Sequence, residues 1–147
     1  MAYWDELEGE GLDEAAKKNP EAALRYMGES LTQDRLDWCA KKAPWEAMAY
    51  AVHRLTPDRL DWCAEKAPWG ALEYAAKNLT PELLDWCACE YPGTALACAA
   101  ALITPERLDW CAEKYPLEAL AFEAERFITP ERLRVCSFKV LLGTKMR

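Results

Sequence analysis

The chain has 147 residues, a length that suits one domain, and half of its residues are hydrophobic, which is enough to form a buried core. Its charged fraction of 29% excludes a disordered chain, and the absence of any apolar run of about 18 residues excludes a transmembrane helix. The net charge of −7 argues against direct binding of nucleic acid, because proteins that contact phosphates carry a basic face.

The chain is built from repeats of 24 residues. Residues 1–30 are a degenerate first copy and cap, in which Glu14-Ala15 replaces the Trp-Cys pair of later copies. Full copies cover residues 31–54, 55–78, 79–102 and 103–127, and they open with LTQDRLDWCA, LTPDRLDWCA, LTPELLDWCA and ITPERLDWCA. Residues 128–147 begin as a last copy, ITPERLRVC, one residue late because Phe127 is inserted. A fixed period is the sequence signature of a repeat architecture.

Each copy predicts two short helices, here named helix A and helix B. In the third copy Thr56 is a suitable N-cap and Pro57 a suitable first-turn residue, so helix A is expected to run to about Lys66. Pro68 cannot continue that helix but can open helix B, which is expected to run to about Asn78. No segment alternates polar and apolar residues with a period of two, so no sheet is expected.

Helical periodicity gives each predicted helix one apolar stripe. In helix A the stripe contains Leu60, Cys63 and Ala64, and in helix B it contains Ala71 and Leu72. One position of helix B is alanine in every copy, which favours close approach of the helices: Ala23, Ala47, Ala71, Ala95 and Ala119. A single hairpin cannot bury both stripes, whereas stacked hairpins can.

These patterns predict an all-α protein, an α-solenoid of about five helix-turn-helix repeats plus a C-terminal capping helix, forming one repeat domain over residues 1–147. Over nearly its whole length the chain resembles the general class of helical-hairpin repeats, such as tetratricopeptide and HEAT arrays. Its unit of 24 residues is shorter than theirs, and their signature residues are absent. The resemblance implies a binding scaffold.

Five of the seven cysteines recur at one position of helix A: Cys39, Cys63, Cys87, Cys111 and Cys136. Stacked helices lie about 8–10 Å apart, whereas a disulfide needs Cα atoms within about 7 Å. These thiols are therefore expected to be reduced and buried. Reduced cysteines indicate a cytoplasmic protein, and the N-terminus lacks the basic start and apolar stretch of a signal peptide.

No residue pattern points to catalysis, a cofactor or a metal. His53 is the sole histidine and has no triad or metal partner at a workable spacing, so it is interpreted as structural or exposed. Cys87, Cys89 and Cys98 form a conceivable soft-metal group, but packing in the core is favoured. Cys98 stands where the other copies have an aromatic side chain: Tyr26, Tyr50, Tyr74 and Phe122. Phosphate loops, serine elbows and zinc-protease motifs are absent.

An aspartate recurs in helix A of each full copy: Asp37, Asp61, Asp85 and Asp109. This row could meet a basic partner, or the arginine of one copy could pair with the aspartate of its neighbour. The second alternative is favoured, because Arg59 and Asp61 project about 160° apart on a helical wheel. It predicts a neighbouring aspartate beside Arg59 and beside Arg107, and a missing ion pair where Leu83 replaces the arginine.

A tryptophan follows each of these aspartates: Trp38, Trp62, Trp86 and Trp110. Each lies about 140° or more around helix A from its leucine, away from the apolar stripe. The tryptophans therefore either pack over the crevice between hairpins or form an exposed aromatic stripe, and tryptophan is a favoured hot-spot residue in interfaces. Trp45 and Trp69, near the start of helix B, are interpreted as packing residues.

The expected function is that of a non-catalytic protein that binds a partner protein with a basic surface. The partner is expected to dock on the face that carries the four tryptophans and four aspartates. The alternative is an acidic inhibitor of phage or virus type, a nucleic-acid mimic that blocks a nucleic-acid-binding protein, for example one of a host defence system. A mimic needs unpaired acids clustered on one face, whereas a scaffold tolerates acids paired with arginines. Neither alternative involves a membrane, and the oligomeric state is left open.

Overall fold

The protein is described from a computed structural model, which covers residues 4, 6–121 and 127–146. Within these residues all regular secondary structure is helical and no strand occurs, as the sequence predicted. No helix among them is both long enough and apolar enough to cross a lipid bilayer. The chain divides into two compact units, Met1–Ala75 and Ala76–Arg147.

In the first unit, A and B helices alternate along the chain: α1 (Gly9–Lys18), α2 (Pro20–Met27), α3 (Gln33–Lys42), α4 (Pro44–Ala51), α5 (Pro57–Lys66) and α6 (Pro68–Gly70). A short 3-10 turn, Val52–Arg54, follows α4. The predicted bounds of helix A in the third copy are confirmed by α5.

In the second unit the same alternation continues: α7 (Pro81–Glu90), α8 (Pro92–Cys98), α9 (Pro105–Lys114), α10 (Pro116–Ala121) and α11 (Pro130–Met146). The helix α11 begins like an A helix but runs on, because no proline follows at the position that ends the other A helices.

The four full A helices begin at equivalent positions because each carries its own threonine cap. The side-chain oxygen of Thr56 accepts the backbone N–H of Arg59 at 3.2 Å, which satisfies one of the unpaired donors of the first turn. The same bond recurs at the start of the other full A helices, with Thr32, Thr80 and Thr104. At the far end of α5, the N–H of Ala67 donates to the carbonyl of Cys63 before Pro68 opens the next helix.

Within each unit a helix packs against its neighbour and against the next helix but one. In the first unit α3 contacts α1, α2, α4 and α5. In the second unit α9 contacts α7, α8, α10 and α11 in the same way. Each unit therefore contains adjacent hairpins whose A helices touch one another.

The core of both units consists of the predicted stripes. Leu36 and Leu108 are 0% and 1% exposed, and the recurring alanine of helix B is fully buried in every copy. The recurring cysteines are also fully buried. The thiol of Cys63 lies 3.9 Å from the carbonyl oxygen of Ala40 in the preceding copy, and Cys111 makes the same contact with Ala88. The prediction of buried thiols at this position is confirmed.

Helix B of the third copy differs from the single helix that the sequence predicted. After α6 the backbone widens to a π-helix over Ala71–Ala75 and tightens to a 3-10 turn over Ala76–Asn78. The widening follows Gly70, where an added Cβ atom would lie 2.5 Å from Cδ1 of Trp45. The indole of Trp45 therefore occupies the space that a side chain at position 70 would fill.

Trp45 and Trp69 pack on each other, as predicted, but Trp69 is also exposed. Trp45 is half-buried, with its ring 6.1 Å from that of Trp69 and edge-on to Tyr74 at 5.3 Å between centroids. Trp69 is 47% exposed, so its outward side remains open to solvent.

The last helix, α11, exposes several large apolar side chains. Cys136 of α11 is fully buried, but Val135, Phe138, Leu141 and Leu142 are between 40% and 62% exposed. Terminal caps of repeat proteins normally present a polar outer side to solvent.

Among the aromatic residues aligned with Cys98, Phe122 lies outside the described residues.

Candidate protein-binding face on the A helices

The tryptophans of the first unit lie between buried and exposed positions. Trp38 on α3 and Trp62 on α5 are both half-buried. A guanidinium carbon and a lysine ammonium lie over each ring at 5.2 and 5.6 Å for Trp38 and at 5.3 and 5.7 Å for Trp62. The cations come from one turn before and one turn after each tryptophan: Arg35, Lys42, Arg59 and Lys66.

In the second unit one tryptophan of the row is half-buried and the other is exposed. Trp110 on α9 is half-buried, with Arg107 at 4.8 Å and Lys114 at 5.5 Å from its ring centroid. Trp86 on α7 is 40% exposed, and no cation of a described residue lies over its ring. The sequence left packing and exposure as alternatives. The structure places Trp38, Trp62 and Trp110 between them and exposes Trp86.

The predicted pairing of arginine with the aspartate of the neighbouring copy occurs in both units. In the first unit Arg35 Nε lies 3.4 Å from Asp13 Oδ1. In the second unit Arg107 donates two hydrogen bonds to Asp85, from Nε at 2.8 Å and from Nη2 at 3.2 Å. The hydrogen bond with Asp85 raises the pKa of Arg107, although desolvation opposes that shift. Because the ion pair is bidentate, it fixes the orientation of both side chains.

Arg59 does not form the predicted ion pair. No carboxylate oxygen of a described residue lies within 4.0 Å of its guanidinium nitrogens, and its Nε is buried without a hydrogen-bond partner. Its guanidinium instead lies over the ring of Trp62. The ion pair is therefore formed by Arg107 and not by Arg59.

The remaining aspartates of the row have different surroundings. Asp37 accepts a long hydrogen bond of 3.5 Å from the side-chain amide of Gln33. Asp109 accepts from the backbone N–H of Thr129 at 3.4 Å and from its hydroxyl at 3.3 Å. Asp61 forms no hydrogen bond or ion pair with any residue that the structure describes, which agrees with its predicted lack of an arginine.

The buried thiols are chemically quiet. Burial raises the pKa of Cys39 and Cys63 to about 11 and that of Cys87 and Cys111 to about 12, and it also raises the pKa of Cys136. Because the thiolate is the nucleophile, these cysteines are poor candidates for catalysis or metal binding at neutral pH. Among the described residues, no group of histidine, cysteine, aspartate and glutamate is placed to hold a metal ion.

The side chains of Cys98 and His53 are both exposed. Cys98 lies at the surface, so the prediction that it packs in the core is wrong. The helix B side chains aligned with it are open too, since Tyr26 is 44% and Tyr50 is 39% exposed. His53 is exposed, and its Nε2 lies 2.6 Å from Glu29 Oε1.

A cavity of the first unit was not predicted from the sequence. It has a volume of about 270 Å³ and is lined by Arg25, Tyr26, Trp45 and Tyr50, among others. Arg25 lies over the two tyrosine rings at 5.6 and 5.9 Å. The spacing of 24 residues between the tyrosines was the available signal, but their helical face resembled a packing position.

Comparison with known proteins gives no family for this chain. No protein-family model matches it, no curated protein resembles it significantly, and no solved structure matches it.

Proposed function

We propose that the chain is an α-solenoid that binds a protein with a basic surface through the face carrying Trp38, Trp62, Trp86, Trp110, Asp37, Asp61, Asp85 and Asp109. The single observation that carries the proposal is the partial exposure of a tryptophan at the same position of all four full A helices. Large aromatic side chains that are half-covered and held in place lose little conformational freedom on binding, so they make strong interface contacts.

The solenoid part of the proposal rests on the repeat period and on the contacts within each unit. Three of the four full copies have 24 residues and the last has one more, and their A helices carry the same threonine cap. In each unit an A helix touches the A helices before and after it. Repeats joined in this way stack into an extended array, and arrays of helical hairpins use their length as a binding surface.

Charge supports a scaffold over a nucleic-acid mimic. The protein has a net charge of −7, so it attracts a basic partner at long range. A mimic needs a row of unpaired acids, but Asp85 is engaged by Arg107 and Asp109 by Thr129. The aspartates therefore contribute to orientation and association rate, and the tryptophans contribute most of the affinity.

A binding titration with a defined basic ligand tests the proposal. The ligand is a fluorescein-labelled peptide of alternating arginine and alanine. It is titrated by fluorescence anisotropy at about 20 and about 150 mM NaCl, where the Debye length is about 21 and about 8 Å. Trp62→Ala is expected to weaken binding by about 2 kcal/mol at both salt concentrations, the size of a hot-spot contact. Asp61→Ala is expected to weaken it chiefly at low salt, where charges are least screened.

Tyr50→Ala is the matched control, because Tyr50 is a half-exposed aromatic residue of helix B in the same unit. It is expected to bind the peptide as the wild type does. Helical circular dichroism shows that each variant is folded. Wild-type binding by both Trp62→Ala and Asp61→Ala, together with weak binding by Tyr50→Ala, would place the site on the B helices and refute the proposal.

A further inference from the structure

Three of the four tryptophans on the A helices already have a cationic ligand supplied by the chain itself. In each case an arginine one turn earlier and a lysine one turn later lie over the indole ring, at distances between 4.8 and 5.7 Å from its centroid. Cations within about 6 Å of an indole centroid are attracted by the negative face of the ring. An indole ring with an arginine and a lysine over it therefore occurs in three of the four full copies.

The fourth copy has the tryptophan without the cations. Leu83 stands at the arginine position and Glu90 at the lysine position around Trp86. Trp86 is also the most exposed tryptophan of the row, at 40%, whereas the other three are half-buried. The two replacements leave one ring of the row open among the described residues.

Charge around Trp86 favours a cation from outside. Four residues lie one turn away from it on α7, and two of them, Glu82 and Glu90, are exposed carboxylates while the other two, Leu83 and Cys89, are uncharged. The local net charge is −2, whereas the equivalent residues around Trp62 and Trp110 sum to zero and those around Trp38 to +2. Asp85 does not add to this group, because Arg107 already occupies it.

We infer that Trp86 is the site at which a basic partner inserts an arginine side chain, whose guanidinium takes the place of the missing cations beside Glu82 and Glu90. Arginine is preferred to lysine because at each of the other three tryptophans the guanidinium lies nearer the ring, at 5.2, 5.3 and 4.8 Å, than the ammonium does, at 5.6, 5.7 and 5.5 Å. A planar guanidinium also stacks on an aromatic ring while it donates to carboxylates. This inference rests on the proposed function and assigns one residue of that face to one chemical group.

The test observes the indole N–H signals of the seven tryptophans in ¹⁵N-labelled protein. The probe is the capped peptide acetyl-Gly-Arg-Gly-amide, and the control peptide contains citrulline, which has nearly the same shape but no charge. The Trp86 signal, assigned with Trp86→Leu, is expected to shift with the arginine peptide and to saturate before any other indole. The citrulline peptide is expected to bind at least about fivefold more weakly than the arginine peptide, as the loss of a cation–π contact predicts.

Two double variants exchange the residues around the tryptophan between the third and the fourth copy. Leu83→Arg with Glu90→Lys gives the fourth copy the cations of its neighbours, and it is expected to weaken peptide binding at Trp86 by about fivefold or more. Arg59→Leu with Lys66→Glu removes the cations from Trp62, and it is expected to make the Trp62 signal respond to lower concentrations of the peptide than in the wild type. Both pairs use residue types that the chain already holds at these positions.

The inference is overturned if the Trp86 signal of the wild type responds equally to arginine and citrulline, or no more than the Trp62 and Trp110 signals do. That comparison needs no variant to fold. If the long basic peptide still binds while Trp86 gives no selective response, the inference fails and the proposed function stands. If neither peptide binds anywhere on the protein, the proposed function fails as well.

Discussion

Gly70→Ala sets two effects of known size against each other. Alanine is favoured over glycine inside a helix by about 1 kcal/mol, whereas forcing an atom into a filled space costs about 1–3 kcal/mol. At Gly70 the new Cβ would lie 2.5 Å from Trp45 Cδ1 and 3.3 Å from Cγ, and the indole is held by its contacts with Trp69 and Tyr74. Because these atoms belong to a rigid ring, we expect the steric cost to exceed the helix gain and the variant to lose about 1 kcal/mol of stability or more.

Urea denaturation followed by tryptophan fluorescence and circular dichroism measures the free energy of unfolding. The matched control is Gly93→Ala, where the nearest atom to the added Cβ would be Tyr115 Cδ1 at 3.6 Å, an ordinary contact. This control is expected to be as stable as the wild type or slightly more stable, since it gains helix propensity without a clash.

A double-mutant cycle isolates the contact with Trp45. In a Trp45→Leu background the ring is gone, so Gly70→Ala should no longer destabilise the protein. If Gly70→Ala stabilises the wild type as much as Gly93→Ala does, or if the loss persists without the indole, the steric explanation of Gly70 is wrong.

Further predictions concern the thiols, the core and the ion pairs. Cys98 is expected to react with iodoacetamide much faster than Cys111 at pH 8 in native protein, as mass spectrometry of the labelled cysteines will show, because Cys98 is exposed and Cys111 is buried. Burial raises the pKa of Cys111 from 9.0 to about 12, so the stability present below pH 9.0 is expected to fall as the pH rises towards 12, and Cys111→Ala should flatten that fall in urea titrations. Leu108→Ala should cost about 2–5 kcal/mol in the same assay. Arg107→Ala should cost no more than about 1 kcal/mol, because its pair with Asp85 is partly exposed, and a larger loss would show a structural role beyond the ion pair.

The A helices could be predicted almost to the residue because their signals are local. Thr56 and Pro57 start α5 through contacts within one turn, and Pro68 ends it whatever the rest of the chain does. The irregular B helix of the third copy could not be predicted in the same way. It begins beside Gly70, whose neighbour, the indole of Trp45, lies 25 residues earlier in sequence and meets it only in the folded unit.

The candidate site was predicted in outline but not in detail. A helical wheel places Trp62 away from the apolar stripe, but its exposure depends on where Arg59 and Lys66 lie over the ring. Those cations were visible as neighbours three and four residues away, a spacing at which helix side chains meet. Arg59 and Arg107 have almost the same local sequence, yet only Arg107 pairs with an aspartate. Tertiary placement therefore decides what the pattern leaves open.

The contact between Cys63 and the carbonyl of Ala40 bears on how such a chain can lengthen. Cys111 and Ala88 repeat it at the same distance of 3.9 Å, so the same two repeat positions make this contact in both units. A duplicated segment of 24 residues would contain both the cysteine and the alanine carbonyl of this contact, so neither neighbouring copy would have to change. Tandem duplication of the coding sequence therefore adds a copy without compensating mutations, whereas an insertion of any other length, such as the single extra residue Phe127, must be absorbed in a loop.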